Sequence, residues 1–229
     1  MRCSAGGAFW NPRRRDLKTL IYRLVARLAL GGGVVLGATA AQAHPHVWVT
    51  SSSELVYAAD GSITGVRHAW TFDDMFTSYA LQGIETKTKG VYSREQLAPL
   101  AKDNVENLRE FGFFTFAKAD GKKQKFEEPV DYFLEYKDEA LTLHFTLPLK
   151  APVKAKQLAL DIFDPAFFID FKFGEKDPIK LVGAPANCQL KVQRSGEADA
   201  KKLTEEMIAS GDQSNYGAIY ANKILVTCP

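Results

Sequence analysis

Between His46 and Phe72, two stretches rich in Val, Thr, Ser and aromatic residues flank Asp60-Gly61, a pattern that commits this part of the chain to a β-hairpin. Side chains alternate along a strand. His44, His46 and Trp48 therefore share a face of the first strand, and His68, Trp70 and Phe72 share a face of the second. The two faces can coincide. A histidine among tryptophans on such a face is either an ordinary hydrogen-bonded core residue or part of a site.

What precedes the hairpin reads as a leader. Residues 1–43 carry Arg2, Arg13, Arg14, Arg15, Lys18, Arg23 and Arg27 against the single acid Asp16, then an apolar stretch from Leu28 to Ala38 with Gly31, Gly32 and Gly33 inside it. Ala41 and Ala43 fit an A-x-A cleavage site. The expectation is a signal peptide cut after Ala43, through the Sec or the twin-arginine route, and a periplasmic location. Cleavage would make His44 the first residue, with a free α-amine beside its imidazole. The basic character of the sequence leaves with the leader: 22 basic and 26 acidic residues remain. That balance argues against a nucleic-acid partner, which requires a basic face.

Beyond the hairpin the period changes. Asp73-Asp74 precede a helical stripe, Met75-Phe76-x-x-Tyr79-Ala80-Leu81, that Gly83 ends. Ser93 and Gln96 make a capping box for a second helix carrying Leu97, Leu100, Ala101, Val105 and Leu108, stopped by Gly112. The linking segment 85–96 has the outline of a calcium loop, but Lys87 and Lys89 stand where such a loop needs carboxylates or amides and Gln96 where it needs a bidentate acid. Strands are then expected at Phe113 to Ala119, Tyr132 to Tyr136, Leu141 to Leu147, Gln157 to Phe163 and Phe167 to Phe173, with turns at Asp120-Gly121, Lys137-Asp138 and Pro148 to Pro152. His144 falls on the polar face of its strand. Lysines 118, 122, 123 and 125 around one turn suit the protection of a strand edge.

The last segment reads as strand Gln189 to Gln193, helix Asp199 to Ala209 and strand Lys223 to Thr227. After loss of Cys3, Cys188 and Cys228 are an even pair, read most simply as a disulfide in an oxidising compartment. The fold expected is α+β: antiparallel sheet with a two-helix insertion, organised as residues 1–43 (signal), 44–177 (main domain) and 178–229 (a disulfide-linked strand-helix-strand appendage).

His44-Pro45-His46-Val47-Trp48, His68-x-Trp70-Thr71-Phe72-Asp73, Glu95-x-Leu97-Ala98-Pro99-Leu100-Ala101, Phe163-Asp164-Pro165 and Val226-Thr227-Cys228-Pro229 together resemble the bacterial periplasmic family catalogued as domain of unknown function 1007. Members are often labelled a periplasmic component of an uncharacterised ABC-type transport system. The resemblance covers essentially the whole mature chain and implies association with divalent-metal transport, and so an inner-membrane metal transporter as partner. Many relatives carry an acid-rich segment where this chain has Lys87 and Lys89.

Three functional expectations follow. The first is a non-enzymatic protein that holds zinc, nickel, cobalt or copper through His44, His46, His68 and His144, with Trp48, Trp70, Asp73 and Asp164 supporting them; imidazole suits these metals. Pro45 has no N–H to lose, which blocks the square-planar amino-terminal mode and leaves a brace by His44 plus a histidine from elsewhere. The second is a binding module for an organic ligand or a membrane partner, lined by Trp48, Trp70, Phe167 and Phe168. The third is a copper oxidase-like enzyme. No G-x-S-x-G elbow, phosphate-binding loop or H-E-x-x-H is present.

Overall fold

The computed structural model of the chain describes residues 45–194 and 216–229. The leader, His44 and the expected helix at Asp199 to Ala209 lie outside them. The elements are β1 (Val47–Tyr57), β2 (Ile63–Phe72), α1 (Asp74–Ala80), α2 (Arg94–Leu108), β3 (Thr115–Ala119), β4 (Lys122–Lys123), β5 (Val130–Lys137), β6 (Ala140–Val153), β7 (Gln157–Ile162), β8 (Ile169–Phe173), β9 (Ile179–Val182), β10 (Gln189–Gln193) and β11 (Asn222–Thr227). Two 3-10 segments, Arg109–Phe114 and Tyr216–Tyr220, complete the elements of the described residues.

The strands form two sheets that share one core. The first runs β5-β6-β2-β1-β8, with β9 also on β1; the second runs β10-β11-β7-β3-β4. Among the described residues the architecture is mostly β with the expected two-helix insertion, so the α+β expectation holds in its antiparallel sheets and helices while strand outweighs helix. It is also mixed in one place, because β8 and β9 both pair with β1 in parallel. Strand alternation drives the packing. Val66, His68, Trp70 and Phe72 on β2, Leu141, Leu143, Phe145 and Leu147 on β6, and Leu158, Leu160 and Ile162 on β7 are all buried, and such facing apolar rows are what hold two sheets together.

The hairpin forms as its turn residues dictate, with Val49 opposite Phe72 and Ser53 opposite His68. Helix α2 begins on the capping box: Ser93 Oγ accepts from the Gln96 N–H, and the Gln96 side chain accepts from the Ser93 N–H. Its buried stripe is Leu97, Ala101 and Val105. The lysine turn sits where edge protection predicts, since Lys122 and Lys123 are β4, at the end of the second sheet.

Three local expectations fail. The turn at Pro148 to Pro152 is absent because β6 runs on to Val153; Pro148 lies opposite Gly65, where β2 is bulged, one of the places a strand tolerates a missing N–H. A Cβ on Gly65 would stand 2.6 Å from the Leu147 carbonyl oxygen, so only glycine fits that crossing. The strand expected from Phe167 begins only at Ile169, because β7 belongs to the second sheet and β8 to the first, and Asp164-Pro165 lies in the crossing between layers. Phe113 and Phe114 belong to the 3-10 segment rather than to β3, with left-handed backbone at Gly112, Phe113 and Phe114. The segment after Pro178 gives strands to both sheets, β9 to the first and β10 and β11 to the second, and Cys188 and Cys228 form a disulfide.

Candidate functional site

The three described histidines occupy three different environments. His68 is 1% exposed and sits between the sheets. Its Nδ1 is 2.8 Å from Ser53 Oγ and its Nε2 3.3 Å from Thr115 Oγ1. Thr115 already donates its hydroxyl hydrogen to the Phe113 carbonyl, so toward His68 it is an acceptor. Nε2 therefore carries the proton, and Ser53 donates to Nδ1. Burial pushes the imidazole pKa down to about 3: a neutral, fully engaged core residue.

His144 lies on the opposite face of the first sheet, since it pairs with Ala69 while His68 pairs with Phe145. It stacks on Phe133, whose ring also carries the Arg94 guanidinium at 3.6 Å. Its Nε2 is 3.5 Å from a Glu135 carboxylate oxygen, an ion-pair contact too long for a good hydrogen bond. Partial burial lowers its pKa. His46 is exposed just before β1 and packs its ring 4.8 Å from Phe168. In the pairing register His144 is level with Ser52, six residues along β1 from His46, a separation of about 20 Å at the strand rise. No group of three or more His, Cys, Asp or Glu side chains among the described residues is placed to hold a metal ion.

The supporting residues also separate. The inward residues of β1 are Val47, Val49, Ser51 and Ser53, which leaves His46 and Trp48 on the other face from His68, Trp70 and Phe72. The two faces do not coincide. Asp73 caps α1 by accepting from the Phe76 N–H at 2.9 Å and accepts from the Trp48 N–H at 2.8 Å. Asp164 is buried and accepts from the backbone N–H groups of Ala166, Phe168 and Ile169 at 2.9 to 3.0 Å. It is a turn residue whose carboxylate fixes the crossing from β7 to β8.

That crossing borders a cavity of about 490 Å³. One wall is the end of the first sheet, with Val47, Val49, Trp70, Phe72, Ile169 and Phe171. The other is Asn104, Asn107 and Leu108 of α2 with Phe111 and Phe114 of the following segment; Asp164, Ala166 and Phe168 close the side. Phe111 and Phe114 stack at 5.3 Å. Phe111 and Phe168 remain 49% and 47% exposed at a site whose lining is overwhelmingly apolar. Asn104 donates its amide to the Leu100 carbonyl. Trp70 and Phe168 were legible as pocket aromatics, whereas Trp48 and Phe167 do not line it. The α2 contributors were missed: on a helix with a clear core stripe, Asn104 and Asn107 read as solvent-facing.

A second cleft of similar volume lies on the outer face, beside Glu54, Arg67, His144, Lys176, Asp177 and Lys180. Its charges have both signs, and Arg67 pairs with Glu54.

A family model described as "Protein of unknown function (DUF1007)" matches residues 29–228. An uncharacterized protein of Haemophilus influenzae is 22% identical over 216 residues, covering 90% of this chain and 98% of the relative. An uncharacterized 15.5 kDa protein encoded in the trpE 3' region of Spirochaeta aurantia is 29% identical over 93 residues, covering 40% and 66%. Among solved structures, Biomphalaria glabrata acetylcholine-binding protein type 1 aligns over 90% of this chain and 96% of its own, at 9% identity and a TM-score of 0.36. A likeness at that score supports no statement of fold or function.

Proposed function

We propose, from the premise that this chain belongs to the DUF1007 family, that it is an exported, non-enzymatic binding module that takes an apolar organic group into the cavity between α2 and the end of the first sheet. The observation that carries this reading is the cavity itself: about 490 Å³, within the range of small-molecule sites, with apolar walls and a few convergent polar groups. Exposed aromatics at its rim add to the case, because a soluble surface keeps such patches small unless something covers them. Delivery of the ligand to an inner-membrane transporter rests on the family resemblance alone.

Export is supported by the composition of residues 1–43 and by the disulfide, a bond of oxidising compartments. Mass spectrometry of the protein recovered from its host is expected to find His44 as the first residue; an intact leader would contradict it. Metal binding draws no support from the described histidines, which face different surroundings. It would rest on His46 with His44, and calorimetry with zinc or nickel on protein bearing a free His44 amine measures it.

The cavity has its own test. The neutral fluorophore N-phenyl-1-naphthylamine is expected to bind the protein and brighten. Asn107→Trp, an exposed helix position on the cavity wall, is expected to weaken binding by about tenfold or more, a cost of about 1.4 kcal/mol, by filling the space while leaving the melting temperature nearly unchanged. Equal binding by both proteins would place the probe elsewhere and remove the reading.

A further inference from the structure

The cavity has a polar neighbour. A groove of about 450 Å³ lies between α1 and α2, and Phe76, Asn104 and Asn107 line both it and the apolar cavity. A ligand that fills the cavity and extends past these three side chains enters the groove. The chemistry changes there: the groove adds Tyr79, Gln82 and Asp103 to the lining.

The acceptors of the groove stand on one stripe of α2. Asp103 and Asn107 are four residues apart on this helix, which places their Cβ atoms about 6 Å from each other. Asp103 is exposed and takes part in no ion pair among the described residues; the adjoining Lys102 is held by Glu106 at 2.6 Å. Arg109, the next cation along the chain, is held by Glu128 at 3.0 Å. Asn104 donates its amide to the Leu100 carbonyl at 2.8 Å, which leaves its own carbonyl oxygen as an acceptor. The Asn107 carboxamide is exposed at the boundary of the two spaces and makes no hydrogen bond among the described residues. No lysine or arginine among the described residues lines either space. On the cavity side the charged group is Asp164, whose carboxylate accepts from three backbone N–H groups.

We propose that the ligand is a cationic amphiphile, with its apolar body in the cavity and a protonated primary amine in the groove, where the Asp103 carboxylate and the carboxamide oxygens of Asn104 and Asn107 accept its N–H donors. This rests on the cavity reading above and adds the head group that the surroundings select. An ammonium brings three donors and a positive charge to a place that supplies acceptors and a negative one. A carboxylate head meets Asp103 and Asp164 with no cation to offset them. An alcohol falls between, because it hydrogen-bonds without charge.

The test displaces N-phenyl-1-naphthylamine at pH 7 with three compounds that share one chain and differ in the head: octylammonium, 1-octanol and octanoate, each below its micelle concentration. Octylammonium is expected to displace the fluorophore from the native protein at about one-fifth of the concentration that octanol needs, the upper range for an exposed charge pair. Octanoate is expected to need more than octanol, and the spread to narrow in about 1 M salt, which screens charges within about 3 Å. Asp103→Asn should bring the ammonium level with the alcohol, and Asp103→Lys should put octanoate ahead of octylammonium. Each order is read within one protein, so a change in fluorophore affinity does not alter it. If the fluorophore binds and the three heads displace it alike or not at all, or octanoate leads in the native protein, or the native order survives Asp103→Lys, the head-group inference falls and the cavity stands. If the fluorophore does not bind, both fall together.

Discussion

Acidification from pH 7 to pH 5 is expected to remove about 2 kcal/mol of folding stability through His68 alone, and about 4 kcal/mol by pH 3. Burial holds the folded-state pKa of this residue down at about 3, against an unfolded value near 6.5. Above pH 6.5 both states are neutral and nothing is lost. Below it the unfolded chain binds a proton that the folded chain refuses, so stability falls as the pH drops and levels off only near the folded pKa. The contacts explain the refusal: the ring lies among Trp70, Phe145, Ser53 and Thr115, with no carboxylate among these neighbours, and its acceptor nitrogen is already filled by the Ser53 hydroxyl. Urea unfolding of the native protein and of His68→Leu at pH 7 and pH 5 isolates the effect, since the carboxylates are common to both. The variant should lack the 2 kcal/mol component; parallel pH profiles would show that His68 titrates alike in both states.

Removing the disulfide is expected to cost about 4 kcal/mol on the loop-entropy account. Cys188 and Cys228 are 40 residues apart. The bond links the residue before β10 to the residue after β11, so it ties an edge strand to the strand that joins it to β7. The double variant Cys188→Ser, Cys228→Ser should therefore lose stability, and amide protection in β10 should fall more than in β7. A loss under about 1 kcal/mol would mean that the β10–β11 ladder closes this loop unaided.

Local chemistry was legible wherever one signal decided the outcome. Asp60-Gly61 set the hairpin, Ser93 with Gln96 set the start of α2, and the alternation of Leu141 to Leu147 set the buried row of β6. Orientation was harder. In His46-Val47-Trp48-Val49 both alternating sets are apolar or aromatic, so periodicity announces two faces without saying which is inside; the core took the valines, and His46 and Trp48 went outward. The four-residue β9 was missed because a short parallel strand carries no turn signal, and β6 was cut short because a proline in a strand reads as a break unless the bulge opposite is visible. Of the cavity only two aromatics, Trp70 and Phe168, could be read. Val49, Leu108, Phe111 and Phe171 come from separate elements, and only the crossing fixed by Asp164 brings β8 beside β1 and under the end of α2.

The direct measurement of the central claim is a titration of methyl-labelled protein with N-phenyl-1-naphthylamine, followed by NMR. Occupation of the cavity predicts saturable shifts at the methyls of Val47, Val49, Leu108 and Ile169, which line it, with Leu190 and Val182, exposed elsewhere, unmoved. Methyl resonances that stay in place at high probe concentration, or that move chiefly at Leu190 and Val182, would contradict the account.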